Sequence, residues 1–113
     1  MHELSLAESI VTLVAAEAAR EHMRGVSRVE LDVGTGSAIE VDTLRYCFPI
    51  VAAGTVVERA DLVVNRVAMQ ARCRECGTGF TAEALISPCP RCGAHGPEIL
   101  TGRGMRVKSF SGE

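Results

Sequence analysis

Four of the five cysteines stand in pairs, Cys73-Arg-Glu-Cys76 and Cys89-Pro-Arg-Cys92, with 12 residues between the pairs. Thiolates are soft, charged donors, and two residues between partners let one tight turn aim both sulfurs at a single ion. Two such turns supply the four ligands of a tetrahedral zinc site. Gly77 and Gly93, one just after each pair, permit the backbone to turn its amides toward the sulfurs. The spacer falls a little below the usual double-pair range of about 15–20 residues, yet it suffices for a short out-and-back hairpin of the zinc-ribbon kind. The competing chemistry is thiol–disulfide exchange, but neither pair sits in a βαβ pattern. With every ligand position filled by Cys73, Cys76, Cys89 and Cys92, the zinc would be structural rather than catalytic. His95 reads as a solvated loop histidine, with an outer-shell or exchange role at the zinc as the alternative. Cys47, alone in an apolar stretch, reads as a small buried hydrophobe.

A second chelating pattern lies at the opposite end, in Met1-His2-Glu3. A free Met1 amine and the His2 amide nitrogen close a five-membered ring, and the same amide with its own imidazole closes a six-membered one. Three nitrogens then lie nearly in a plane, and a Glu3 amide or carboxylate completes the tetragonal set that Ni(II) and Cu(II) prefer. Taken on these three residues alone, an exposed terminus with a solvated histidine is the simpler reading.

The elements that must hold these groups follow from periodicity. Leu6, Ala7, Ile10, Leu13, Val14 and Ala18 recur at helical spacing, so an amphipathic helix is expected between Ser5 and Met23. Ser5 and Glu8 form a candidate capping box at its start and Gly25 supplies a stop, which leaves His2 and Glu3 ahead of the first turn. Alternation of Val29, Leu31 and Val33 with charged residues predicts a strand at 27–33, broken by a permissive Gly34-Thr-Gly36. A second helix is expected from Asp42 to Ala53, kinked or broken at Pro49 and ended by Gly54. Valine-rich 61–69 and alternating 104–110 read as two more strands, the last returning to pair with the earlier ones. Residues 72–97 hold too few large apolar side chains for a core, so a metal must supply their stability. The expected architecture is α+β: a two-helix, three-stranded domain of residues 1–70 plus 101–113, with a four-cysteine zinc domain inserted at 71–100.

Composition narrows the function. The 113 residues are 47% apolar and carry a net charge of −2, so one domain with a real core is expected and no general attraction to phosphate backbones exists. Residues 1–70 carry 10 acids and 6 bases, whereas residues 71–113 carry 4 and 6, which marks two regions of different chemistry. No apolar run approaches the roughly 18 residues of a membrane span, and MHELSLAESI lacks the basic and hydrophobic segments of a signal peptide; a cytoplasmic protein is expected. No nucleophile triad, phosphate loop or pair of catalytic carboxylates can be assembled, which argues against an enzyme. A zinc-ribbon adaptor for nucleic acid or a protein partner is the alternative. Arg72, Arg74, Arg91, Arg103, Arg106 and Lys108 favour it, while the acidic total and only 4% aromatic residues oppose it.

The opening MHELSLAESI, the middle LRYCF and VAAGT, the pairs CREC and CPRC, and the ending RGMRVKS together resemble the HypA/HybF family of hydrogenase maturation nickel chaperones over essentially the whole chain. The resemblance implies a nickel site at His2, assisted by the Met1 amine and Glu3, and a zinc site at Cys73, Cys76, Cys89 and Cys92. It also implies delivery of nickel to the large subunit of nickel-iron hydrogenase together with the GTPase HypB, a link to urease maturation in some relatives, and a monomer or homodimer. Nucleic acid and membrane are not expected partners.

Overall fold

The computed structural model describes residues 2–113, so Met1 lies outside the described residues. Two helices and six strands follow in the order α1 (Glu3–Arg20), β1 (Val26–Gly34), α2 (Val41–Ala52), β2 (Asp61–Val67), β3 (Met69–Arg72), β4 (Gly79–Ala82), β5 (Glu98–Thr101) and β6 (Met105–Gly112). The strands form two three-stranded sheets, ordered β2-β1-β6 and β4-β3-β5, and the fold is α+β as expected. The chain divides into two compact units, one of residues 1–31, 38–65 and 107–113 and another of residues 32–37 and 66–106.

In the first unit α1 packs on α2. Helix α1 buries Ala7, Ile10, Val11, Val14 and Ala18, which recur at three- and four-residue intervals and so line one face. Helix α2 contributes Leu44, Phe48 and Ala52, and β1 contributes Val26, Val29 and Leu31. Each fully buried Ile or Leu here stabilises the fold by about 1.5–3 kcal/mol. On β1, Glu30 accepts a hydrogen bond from Asn65 at 2.7 Å and pairs with Arg28 at 3.3 Å and Lys108 at 3.5 Å. The Asn65 amide and, against some desolvation, the two cations hold the Glu30 carboxyl below its ordinary value of 4.5.

Both ends of α1 depart from expectation. The Ser5–Glu8 capping box does not form. His2 is the N-cap, without a side-chain cap, and its carbonyl accepts the first helical bond from the Leu6 amide at 3.0 Å. Glu3 therefore belongs to the first turn, where a carboxylate suits the positive end of the helix dipole. At the other end Gly25 is not the stop. His22 turns left-handed at φ 55°. Its amide and that of Met23 reach the carbonyls of Ala19 and Ala18 at 3.2 and 2.9 Å, closing a Schellman motif three residues before the glycine.

Helix α2 runs through Pro49 unbroken. The Thr55 hydroxyl donates to the Ala52 carbonyl at 2.7 Å and Gly54 sits at φ 79°, so the helix ends where the glycine predicted. Cys47 is half-buried rather than buried.

The expected strand 61–69 is two strands in two sheets, because the ladder is interrupted at Ala68. In the second unit β3 is central, with Met69 opposite Ala82 and Ala71 opposite Phe80 on β4, and Ala71 opposite Ile99 on β5. Met69, Ala71 and Ala82 form a small core flanked by Phe80 and Ile99. Of these, only Ala82 and Phe80 come from residues 72–97, and two of the three buried members are alanines, which have little apolar surface to bury. The Gly34-Thr-Gly36 segment is not permissive. A Cβ on Gly34 would collide with the Gly102 carbonyl, and Gly102 itself lies at φ 90° against the Ala68 backbone. The close approach is sealed by the Gly34 amide to Gly104 at 2.8 Å and the Gly36 amide to Gly102 at 2.9 Å.

Candidate metal centres

The two cysteine pairs fold as near copies of one turn. The Gly77 amide donates to the Cys73 carbonyl at 3.0 Å and the Cys73 amide to Thr78 at 2.9 Å; the Gly93 amide donates to Cys89 and the Cys89 amide to Ala94, both at 2.9 Å. Gly77 and Gly93 close these turns at φ 77° and 78°, in the left-handed region that side chains disfavour. Each turn aims two amides at its first sulfur. Glu75 and Cys76 reach Cys73 Sγ at 3.4 Å, while Arg91 and Cys92 reach Cys89 Sγ at 3.4 and 3.5 Å.

The four sulfurs lie within 4.8 Å of one another, with Cys73 to Cys92 at 3.5 Å and Cys76 to Cys89 at 3.6 Å. Zinc–sulfur bonds of about 2.3 Å set tetrahedron edges of about 3.8 Å, so the cage matches that ion in size and in donor softness. Cys73 and Cys89 are buried, and Cys76 and Cys92 are exposed. The Arg74 Nε–H ties the first turn to the Gly96 carbonyl at 3.2 Å.

Four thiols this close cannot all ionise without a cation, and they divide accordingly. The Thr78 hydroxyl, then its amide, favour the Cys76 thiolate and bring that thiol from 9.0 down to about 6. Cys89 is also lowered, chiefly by the Cys92 amide. The Ala94 amide favours the Cys92 thiolate, but the sulfur of Cys73, partial burial and the sulfurs of Cys76 and Cys89 outweigh it and push Cys92 up to about 12. A divalent ion would remove this conflict by favouring all four thiolates.

At the other candidate centre, His2 is exposed and extended, at φ −83° and ψ 118°. Glu3 is half-buried, and its Oε2 accepts a hydrogen bond from the Glu40 amide at 3.0 Å, at the N-cap of α2. That amide lowers the Glu3 carboxyl below 4.5 and commits the side chain to α2. Among the described residues, neither His95 nor Cys47 joins the sulfur cluster. Glu40, the partner of Glu3, was invisible in the pattern because it lies 37 residues away. Thr78 carried a signal: it follows Cys76 at the interval at which Ala94 follows Cys92.

Comparison with known proteins agrees with this architecture. The family model described as hydrogenase/urease nickel incorporation, metallochaperone, HypA matches residues 1–112. The hydrogenase maturation factor HypA of Chlorobium phaeobacteroides is 40% identical over 111 residues, covering 98% of each chain. That of Geotalea daltonii is 36% identical over 111 residues, again 98% of each. The solution structure of the Ni metallochaperone HypA from Helicobacter pylori matches with a TM-score of 0.70 at 25% identity, covering 97% of this chain and 96% of that one. These are metallochaperones and maturation factors rather than enzymes, and the cysteine pairs, the α+β fold and the full-length match agree: the chain belongs to the HypA family.

Proposed function

We propose that this protein collects Ni(II) at its N-terminus through Met1, His2 and Glu3 and delivers it to the large subunit of nickel-iron hydrogenase, acting with a HypB-type GTPase in the cytoplasm. Urease maturation factors are a second class of client. The protein acts as a monomer or homodimer. Residues 1–70 with 101–113 form the nickel domain, and residues 71–100 form a domain closed by zinc on Cys73, Cys76, Cys89 and Cys92. One observation supports the reading beyond family membership: His2 is exposed and extended at the start of α1.

Nickel is the cargo, and the chain's residues act on it as follows. The Met1 amine, the His2 amide and the His2 ring form two fused chelate rings, and Glu3 contributes the fourth donor. The Glu3 carboxylate is held by the Glu40 amide, which favours the Glu3 backbone nitrogen over the carboxylate as that fourth donor. A site at the chain end exchanges ligands one at a time on contact with a partner, which a closed cage does not allow. Cys73, Cys76, Cys89 and Cys92 would hold a zinc ion, which would supply a cross-link between the two cysteine turns, and the amides of each turn stabilise the inner thiolates of Cys73 and Cys89.

Delivery is tested by mixing the nickel-loaded protein with purified hydrogenase large-subunit precursor and the GTPase. Nickel is expected to appear on the large subunit after separation, with zinc retained on the chaperone. Nickel that stays with this chain, or that reaches the subunit equally well from free solution, would contradict delivery.

A further inference from the structure

The two cysteine turns are alike in backbone and differ in side chain at three positions, of which Thr78 against Ala94 sets a hydroxyl beside one outer sulfur. The inner sulfurs, Cys73 and Cys89, are 3% and 4% exposed and each receives two backbone amides. The outer sulfurs of Cys76 and Cys92 both face solvent. Cys76 faces the amide of Thr78 and has that residue's hydroxyl at 3.1 Å, which is the donor once Cys76 is a thiolate. Cys92 faces the corresponding amide, from Ala94, and a methyl group stands where the other turn has a hydroxyl. Every hydrogen bond to a thiolate draws charge from the sulfur and lowers its nucleophilicity. Among the described residues, Cys92 is the exposed sulfur of the four with no side-chain hydroxyl beside it, whereas Cys76 has that of Thr78.

We infer that Cys92 is the modification site of the four-cysteine centre, the sulfur at which soft electrophiles attack and the bound metal is loosened. The inference rests on the reading that these cysteines hold zinc. With an alkyl iodide as the electrophile, the Cys92 sulfur lone pair forms the new S–C bond as the C–I bond breaks and iodide leaves. The product is a neutral thioether, a poor zinc ligand, so three thiolates remain and the fourth position opens to water or an incoming donor. Thr78 acts through Cys76 as a positioning residue that keeps the first turn closed.

The test uses the zinc-loaded full chain with Cys47→Ala, which removes the competing thiol of α2, and substoichiometric iodoacetamide. Native mass spectra read zinc content, and peptide mapping reads the first adduct. Cys92 is expected to react ahead of Cys76 on the order of tenfold, the effect of one hydrogen bond to a charged acceptor. Exchanging the two side chains, Thr78→Ala with Ala94→Thr, moves the first adduct to Cys76; Thr78→Val alone brings the two rates together. A first adduct elsewhere, or a preference unmoved by both variants, overturns the assignment while leaving the zinc reading intact. Protein that holds no zinc before treatment overturns the zinc reading and the assignment with it.

Discussion

Glu30 shows how a side chain on the open face of β1 enters the energetics. Its partners, first Asn65 and then Lys108 and Arg28, depress its carboxyl below 4.5 in the folded state. A depressed acid contributes stability that is fully present above the unfolded value and is lost as pH falls through the folded one. Urea denaturation between pH 6 and about 3 is therefore expected to show stability falling below pH 4.5, with a shallower fall in Glu30→Gln. An unchanged slope in that variant would contradict the role given to this cluster. At this level the sequence was legible where chemistry is local. The spacing of Cys73, Cys76, Cys89 and Cys92 announced one cage, and the sulfurs do converge. Glu3 was legible only as a candidate donor, because its hydrogen bond to Glu40 is made by the packing of two helices and leaves no local pattern.

The elements were legible in kind and less so at their ends. The buried stripe of α1 follows its 3.6-residue period, and β1 buries Val29, Leu31 and Val33 as their alternation predicts. The stop of α1 was misplaced because glycine is the usual left-handed residue, whereas His22 adopts φ 55° and Gly25 lies beyond the turn. A non-glycine residue in that conformation costs about 1–2 kcal/mol, so His22→Gly is expected to stabilise the protein by about 1 kcal/mol. Thermal and urea unfolding would read the gain, and a loss would mean that the His22 side chain contributes more than its backbone strain removes. The strand expected at 61–69 hid a change of sheet at Ala68, since an unbroken valine-rich run shows no boundary when both halves are extended. Gly34 and Gly36 signalled a loop, but their spacing cannot distinguish freedom from crowding, and the Gly102 carbonyl decides for crowding.

Over the whole chain, the two units draw stability from different sources. The first has two packed helices and a row of buried aliphatic side chains, while the second has Met69, Ala71 and Ala82 and four convergent thiols. Removing zinc with a strong chelator is therefore expected to release amide-exchange protection over residues 73–97 while α1 and α2 remain protected. Protection lost uniformly along the chain, or unchanged throughout, would refute that division. The α+β class and the return of β6 to β1 were readable because strand and helix periods differ, whereas the small β4-β3-β5 sheet was not, since its four-residue strands are too short to show a period. The central claim is that nickel is held by the chain's own N-terminus, separately from the sulfur cage. It is tested most directly by metal content and Ni(II) titration of untagged protein with a verified Met1, beside His2→Ala and a form extended by one residue before Met1. One tightly held zinc in all three, with strong nickel binding in the native form alone, is the predicted result; equal nickel binding by all three would contradict it.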